Sequence, residues 1–310
     1  MFKKCLIAST IALAAANPAA AASSPFGQLV VFGDSLLDTG SYGVRFTNKD
    51  SDGSGNDADI VPDILADYLG LELTPAIFGG TNYAVGGYQT ADILNSVSGT
   101  GVETFLGSTN SYLSNVGGSI SADTLIFMDG GGNDINAILQ TTAAADIPLA
   151  IQGAALTYVS TAAALHDAGA QYIMMSNVPD VGQTPASYAA EVFGFLPPGT
   201  GAAISDASAG LNGAIDQLSD YFLGNANIIP VDIAGLGQFV MDNADAYGIA
   251  SGPLDVGGGL ILDQMLLCYD GSGGSCIEHP LYGINSVGTP IDSADPRKLF
   301  FNDGLHPTEL

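Results

Sequence analysis

The sequence predicts one α/β domain built around a parallel β-sheet. Short apolar runs alternate with longer amphipathic stretches along the chain, an order that is typical of a parallel sheet with helices on both faces. Two of the apolar runs lead into glycine-containing turns, as expected where a buried strand ends abruptly. The 310 residues, of which 47% are hydrophobic, are enough for one sizeable core.

The predicted strands are continuous apolar runs, which is the pattern of strands buried on both faces. Their order along the chain, with helical stretches between them, favours parallel pairing. The four runs are QLVVF (28–32), DTLIFM (123–128), QYIMMSN (171–177) and NIIPVDI (227–233).

Three helices are predicted from apolar periodicity and end signals. The stretch 57–71 has an apolar stripe, acidic residues near its start and Gly70 as its stop. A long alanine-rich helix is predicted over 147–169, ending at Gly169, and a third helix over 203–222.

The N-terminus has the pattern of a secretory signal peptide. MFKK supplies positive charge, CLIASTIALAAA a short apolar stretch and NPAAAA small residues for cleavage. We therefore expect a signal peptide over residues 1–22, a single domain over residues 23–310, and a protein secreted to the periplasm or the medium. The alternative is an N-terminal helix of the folded protein. We predict no later stretch long and apolar enough to span a bilayer, and hence no stable membrane insertion.

The charge balance is extreme, with 32 acidic residues against 6 basic ones and a formal net charge of −26. Removing Lys3 and Lys4 with the signal peptide would take away two positive charges and leave −28. Such a surface repels nucleic acid and anionic lipid head groups, so we expect neither as a partner.

Two cysteines, Cys268 and Cys276, are the first and last residues of the segment CYDGSGGSC. In an exported protein this pair is predicted to form a disulfide, the alternative being two free thiols. The cysteines and histidines lack the spacing of a zinc site. The acidic stretch 50–57 has Val61 where an EF-hand would have its bidentate glutamate. We therefore interpret it as a solvated loop and expect no metal site.

Four polar or glycine-rich segments attract attention because ligands of parallel α/β sheets bind beyond the carboxyl ends of the strands. Each segment alone has an ordinary explanation as a turn or a helix cap. Together, in this order, they indicate a site. They are GDS (33–35), NYAVGGYQT (82–90), GGND (131–134) and DGLHPT (303–308).

The residue types in these segments suit nucleophilic catalysis. Asp303 and His306 are three residues apart, so one local turn can bring the carboxylate to one ring nitrogen and leave the other as a general base. Ser35 is then a candidate nucleophile, since a hydroxyl needs such a base. The developing oxyanion needs fixed donors, and Ser35 N–H, Gly87 N–H and the Asn133 amide are the candidates. Asp34 is interpreted as a buried hydrogen-bonding partner of the turn.

The four segments resemble the sequence blocks of the GDSL lipase/esterase family, a part of the SGNH hydrolase superfamily. FGDSLLDTG (32–40) is similar to the first block and NYAVGG (82–87) to the second, with the oxyanion glycine assigned to Gly87 and Gly86 as the alternative. GGND is similar to the third block and DGLHPT to the last. The resemblance covers about residues 28–308 and is closest to the exported bacterial branch.

The resemblance implies a flavodoxin-like three-layer αβα sandwich with a five-stranded parallel sheet. It also implies hydrolysis of small-molecule or lipid esters through an acyl-serine, without a cofactor. No GxSxG elbow is present, which argues against the α/β-hydrolase fold. The family usually has a helix after the histidine block, whereas Leu310 follows His306 by four residues, so we expect that helix to be missing.

Two other functions stay open at this point. An acyltransferase would use the same acyl-enzyme and differ only in the second acceptor. A non-catalytic surface-binding or carbohydrate-binding module would use the same scaffold without turnover. The sequence leaves the acyl chain length, the alcohol and the oligomeric state open.

Overall fold

A computed structural model describes residues 24–48, 56–250, 298–301 and 304–308, together with 252, 254–257, 260–262 and 264–267. The predicted signal peptide, Asp303 and the cysteine pair lie outside the described residues. Within them the strands are β1 (Gln28–Phe32), β2 (Val102–Thr104), β3 (Gly107–Thr109), β4 (Thr124–Met128), β5 (Tyr172–Ser176), β6 (Ile228–Val231), β7 (Leu254–Gly257) and β8 (Leu260–Leu262).

The helices connect these strands and lie on both faces of the main sheet. They are α1 (Val61–Leu69), α2 (Thr90–Ser98), α3 (Tyr112–Asn115), α4 (Gly132–Thr141), α5 (Ile147–Asp167), α6 (Pro185–Val192), α7 (Thr200–Phe222), α8 (Ile233–Asp242) and α9 (Gln264–Leu267). The three predicted helices correspond to α1, α5 and α7, and α1 ends at Gly70 as expected.

The main sheet has the order β1-β4-β5-β6, with every neighbouring pair parallel. The four predicted strands and their parallel pairing are therefore confirmed, but five strands are not. The second family block lies where a fifth strand would be: Val31 and Asn82 form a single parallel bridge. Tyr83 N–H donates to Val31 O at 2.7 Å and Val85 N–H to Gly33 O at 3.1 Å. This segment thus follows the outer edge of β1 as an extended chain with one bridge.

Alternate residues of the strands enter two separate cores, which explains the continuous apolar runs. Val30 and Phe32 of β1 pack with α2, α5 and α7, whereas Leu29 and Val31 pack with α1 on the opposite face. All five residues of β4 are buried, as expected for an inner strand. The result is a three-layer αβα arrangement.

Helix α5 contradicts the expectation that no stretch after the signal peptide is long and apolar enough to span a bilayer. Among the described residues, α5 has the length and composition that would allow it to cross a membrane. Its packing accounts for the apolar composition: Ala155, Tyr158, Val159 and Leu165 are fully buried in the core shared with the sheet. In the described structure α5 is a core helix.

The topology brings three of the four polar segments to one edge of the sheet. Ser35 follows β1, Asn133 follows β4, and the extended segment beside β1 leads to Gly87. Because β1 and β4 are parallel neighbours in register from Gln28 to Phe32, their carboxyl ends meet at that edge.

Candidate active site

Ser35 lies in a tight corner directly after β1. Leu36 N–H donates to Asp34 Oδ1 at 3.1 Å and Leu37 N–H donates to Asp34 O at 3.2 Å. Asp34 thus holds the turn from within and is itself buried, in agreement with the role inferred from the sequence. The Ser35 side chain stays half-buried at the edge of the sheet.

His306 meets this serine from the far end of the chain. Its Nε2 lies 2.8 Å from Ser35 Oγ, across 271 residues of sequence, and the imidazole is buried. Thr308 N–H donates to Phe300 O at 2.9 Å, and Phe301 and Pro307 form an antiparallel bridge. These bonds fold the segment back on itself and fix the position of His306.

Phe46 covers the other side of the imidazole. The two ring centroids are 5.1 Å apart and the ring planes are inclined by 35°. The same aromatic ring lies over Gly86, where an added Cβ would be 2.3 Å from Phe46 Cζ. Next to it, Arg45 is tied down by a hydrogen bond from its Nη2 to Asp63 Oδ1 at 3.0 Å. Phe46 therefore lies against both His306 and Gly86.

The two glycines of the second segment differ in what their N–H groups do. Gly86 N–H donates to Asp38 Oδ2 at 2.9 Å. Gly87 has a φ of +86°, which favours glycine, and is exposed. Within the described part of the chain, its N–H donates to no acceptor. Only the second of these two donors is thus available to a ligand.

Asn133 lies in the first turn of α4, and both hydrogens of its amide have acceptors. Nδ2 donates to Tyr88 O at 3.0 Å and to Asp34 Oδ2 at 3.3 Å. The first bond ties α4 to the glycine segment, and the second ties it to the serine corner. Three of the segments identified in the sequence are therefore linked through one side chain.

Asp129 is a second buried carboxyl group beneath the serine corner. Asp34 N–H donates to Asp129 Oδ1 at 3.0 Å. Burial raises the pKa of Asp129 well above its usual range, and the negative charge of Asp34 raises it further. Burial also raises the pKa of Asp34, while the bond from Leu36 N–H and the proximity of His306 oppose that shift.

An apolar cavity of about 480 Å³ opens beside these groups. Ser35, Asn133 and His306 all lie in its wall. Its volume is in the range of small-molecule sites, and such sites usually combine an apolar wall with a few polar groups. The apolar part of the wall includes Leu36, Val181, Tyr188, Ile233, Ala234 and Phe301.

A serine–histidine contact at the mouth of an apolar cavity, on the carboxyl edge of a parallel sheet, is an arrangement suited to acyl-group chemistry. The family model described as GDSL-like Lipase/Acylhydrolase matches residues 29–310. The chain therefore belongs to this family, as its four sequence blocks indicated.

Curated bacterial proteins show the same relationship. Esterase EstA of Pseudomonas aeruginosa is 33% identical over 99% of this chain, and Lipase 1 of Photorhabdus luminescens is 35% identical over 52% of it. An uncharacterized protein in the trpE-trpG intergenic region of Pseudomonas putida is 37% identical over 95% of this chain. The alignments cover 48%, 23% and 48% of those proteins, so this chain spans about half the length of EstA and of the Pseudomonas putida protein. The family and the two named enzymes support an ester hydrolase.

The structure brings together Ser35, Asn133 and His306, and places Gly87 at the end of the chain segment that Asn133 contacts through Tyr88. Sequence reasoning missed Phe46, Asp38 and Asp129. Asp38 had a usable signal, because it lies inside the first family block. The signal for Asp129 was weaker: it is a carboxyl group shortly before GGND at the end of a buried strand, and a buried carboxyl group requires a hydrogen-bonding partner.

We predict that Phe46→Ala lowers kcat by about 10- to 100-fold, because a loosened imidazole leaves the geometry that proton transfer needs. KM should change little, since Phe46 is not in the wall of the cavity. Steady-state kinetics on a p-nitrophenyl ester would measure both constants.

The matched control for that experiment is Phe105→Ala. Phe105 is 78% exposed and stacks on Tyr42 instead of on the histidine. Equal losses in the two variants, or a change in KM alone for Phe46→Ala, would contradict a positioning role for Phe46.

Proposed function

We propose that this protein is an exported serine ester hydrolase that works through an acyl-serine at Ser35. The observation that supports it best is the 2.8 Å contact between Ser35 Oγ and His306 Nε2 at the wall of an apolar cavity. A hydroxyl group becomes a useful nucleophile when a neighbouring base takes its proton, and this contact is within the range for that transfer.

In the first half of the proposed reaction His306 takes the proton from Ser35 Oγ, which attacks the ester carbonyl carbon. The tetrahedral intermediate collapses when His306 returns the proton to the leaving alcohol, and an acyl-serine remains. In the second half water gives its proton to His306 and attacks the acyl group. The carboxylic acid leaves and Ser35 Oγ regains its proton.

The proposed oxyanion donors are Ser35 N–H, Gly87 N–H and the Asn133 amide. The choice of Gly87 over Gly86 is supported by the bond that already occupies Gly86 N–H. Among the described residues Ser35 N–H and Gly87 N–H donate to no acceptor. Both can therefore donate to a developing negative charge without first breaking a hydrogen bond.

Asn133 has to exchange one of its bonds to take part. Its bond to Tyr88 O is 3.0 Å long and its bond to Asp34 Oδ2 is 3.3 Å long, so the second is the weaker. An oxyanion would take the amide hydrogen that now points to Asp34. The bond to Tyr88 would keep the amide in place during that exchange.

Asp303 is the proposed partner of the remaining imidazole nitrogen. Because Nε2 of His306 faces Ser35, Nδ1 is the nitrogen left to a carboxylate, and the family block assigns that role to Asp303. This residue lies outside the described part of the chain.

The cavity supports an acyl group with an apolar chain as the substrate. Each methylene that enters it contributes about 0.8 kcal/mol of transfer free energy, so kcat/KM should rise from acetyl esters to longer ones. One wall is fixed by Asn177, whose Nδ2 donates to Asp232 Oδ1 at 2.6 Å and whose Oδ1 accepts from Ala234 N–H at 3.0 Å. This joins the end of β5 to the start of α8, where Ala234 faces the cavity.

Export and the disulfide between Cys268 and Cys276 are part of the proposal. They are supported by the positive, apolar and small-residue regions at residues 1–22 and by the spacing of the cysteines.

The nucleophile is tested by Ser35→Ala, which should lower kcat by at least about 10³-fold because no other group replaces the hydroxyl. A fluorophosphonate should label the unmodified protein at Ser35, as identified by peptide mass spectrometry. Ser98→Ala, at an exposed position of α2, is the control and should keep full activity and labelling. Labelling at a different serine would reject Ser35 as the nucleophile.

The cavity is tested by Ala234→Phe, which fills space beside the proposed acyl chain. Relative to acetate esters, kcat/KM for octanoate esters should fall about 10-fold or more, as expected from steric overpacking. Leu236→Phe on the same helix is the control, because Leu236 is 61% exposed and outside the cavity wall. An unchanged chain-length profile in Ala234→Phe would place the acyl chain elsewhere.

Export is tested by the intact mass of the protein recovered from the periplasm or the medium of its host. The chain should begin directly after residue 22, and Cys268 and Cys276 should resist alkylation until a reductant is added. Recovery of the full-length chain only from inside the cell, or alkylation of both cysteines without reduction, would contradict this part of the proposal.

A further inference from the structure

Two carboxyl groups, Asp34 and Asp129, lie together beneath the candidate nucleophile, and both are buried. Asp129 Oδ1 accepts Asp34 N–H at 3.0 Å, so the carboxyl group of Asp129 lies directly against Asp34. A Cβ on Gly33 would lie 1.7 Å from Asp129 Oδ1, so only glycine lets the carboxyl group come this close. The pair is thus built into the corner that carries Ser35.

Two adjacent ionised carboxylates would repel each other strongly at this depth, where water screens little. One proton held between them removes that repulsion. The hydrogen bonds show where the charge belongs: Asp34 accepts from Leu36 N–H through Oδ1 and from Asn133 Nδ2 through Oδ2. Because hydrogen bonds stabilise the charged form, Asp34 is the ionised member and Asp129 holds the proton.

Three further titratable groups face the pair. A positive charge on His306 favours the ionised form of Asp34, and the negative charge of Asp134, on α4, opposes it with the smaller effect. On the side of α5, the Tyr158 hydroxyl lies 3.0 Å from Met128 O and 3.1 Å from Ser176 O, and its single hydrogen is shared between these two acceptors. Burial raises the pKa of that phenol. Tyr158 is therefore a neutral neighbour.

We propose that Asp129 is a positioning residue that donates its proton to Asp34 and thereby allows the Asn133 amide to leave Asp34 for the substrate oxyanion. This inference rests on the proposed ester hydrolysis. When Asn133 turns to the oxyanion, Asp34 loses one of its donors. The Asp129 hydroxyl and Leu36 N–H stay, so the charge of Asp34 remains stabilised while the intermediate exists.

Deprotonation of Asp129 would act against the reaction in two ways. A second negative charge beneath the corner would repel the oxyanion. The Asn133 amide would also stay hydrogen-bonded to Asp34, because Asp34 would have lost the proton donor that replaces it. Both effects lower kcat and leave substrate binding largely unchanged, because neither requires a change in the apolar cavity.

The test compares Asp129→Asn with Asp129→Ala in the full chain. Asparagine is the neutral mimic: its Oδ1 can accept Asp34 N–H and its Nδ2 can donate to Asp34. It should rescue kcat to within about threefold of the wild type, whereas Asp129→Ala should lose about 10- to 100-fold in kcat with KM nearly unchanged. Asp123→Asn, at an exposed position before β4, is the matched control and should leave kcat unchanged.

The pH profile separates positioning from a merely structural role. In the wild type kcat should fall at the alkaline end as folded Asp129 loses its proton, and Asp129→Asn should lack that decline. A carboxyl group whose pKa is raised on folding stabilises the protein below its unfolded value of about 3.9, and that stability is lost as the pH rises toward the folded value. The free energy of unfolding of Asp129→Asn, relative to wild type, should therefore increase with pH across this window.

A readout that does not depend on turnover completes the test. Infrared difference spectra should show a protonated carboxyl band at neutral pH in the wild type that is absent in Asp129→Asn. Loss of kcat in Asp129→Asn equal to that in Asp129→Ala, or absence of the band in the wild type, would overturn the proposal. If no ester is turned over by any variant, the proposed function fails by itself. The band and the stability difference would then still support the shared proton.

Discussion

The ends of β1 and β4 are held together by hydrogen bonds in both directions. Asp129 N–H donates to Phe32 O at 3.1 Å, and Asp34 N–H donates back to Asp129 Oδ1 at 3.0 Å. The second bond extends the strand pairing by a side chain, past the point where the backbone of β1 turns away. Ser35 follows one end of this junction and Asn133 the other, so their relative position depends on it.

The same junction connects with the remaining parts of the site. Asn133 continues it to the glycine segment through Tyr88 O, and Asp38 holds that segment at Gly86 N–H. Phe46 then lies between the glycine segment and His306. A change in one contact would thus be passed on through rigid neighbours, since packed interiors do not deform continuously.

The sequence was sufficient for those features that depend on local pattern or on family blocks. The apolar runs predicted four parallel strands, and Gly70 ended α1 as expected. The blocks pointed to Ser35 and His306, although 271 residues separate them. The fifth strand was not confirmed among the described residues, because the extended segment at Asn82 makes only one bridge with β1. The roles of Phe46 and Asp129 depend on neighbours that are distant in sequence, and the local pattern at Asp129 indicates only that a partner is needed, without identifying it.

The acidic character of the chain gives the buried proton its significance. With 32 acidic and 6 basic residues, the protein has little positive charge to offer a developing oxyanion, and the described wall of the cavity contains no lysine or arginine. The proposed donors are neutral dipoles, two backbone N–H groups and one amide. Dipoles stabilise an anion well only where competing negative charge is kept low. A proton on Asp129, the acid packed against the corner that carries Ser35, therefore keeps the negative charge near the oxyanion low.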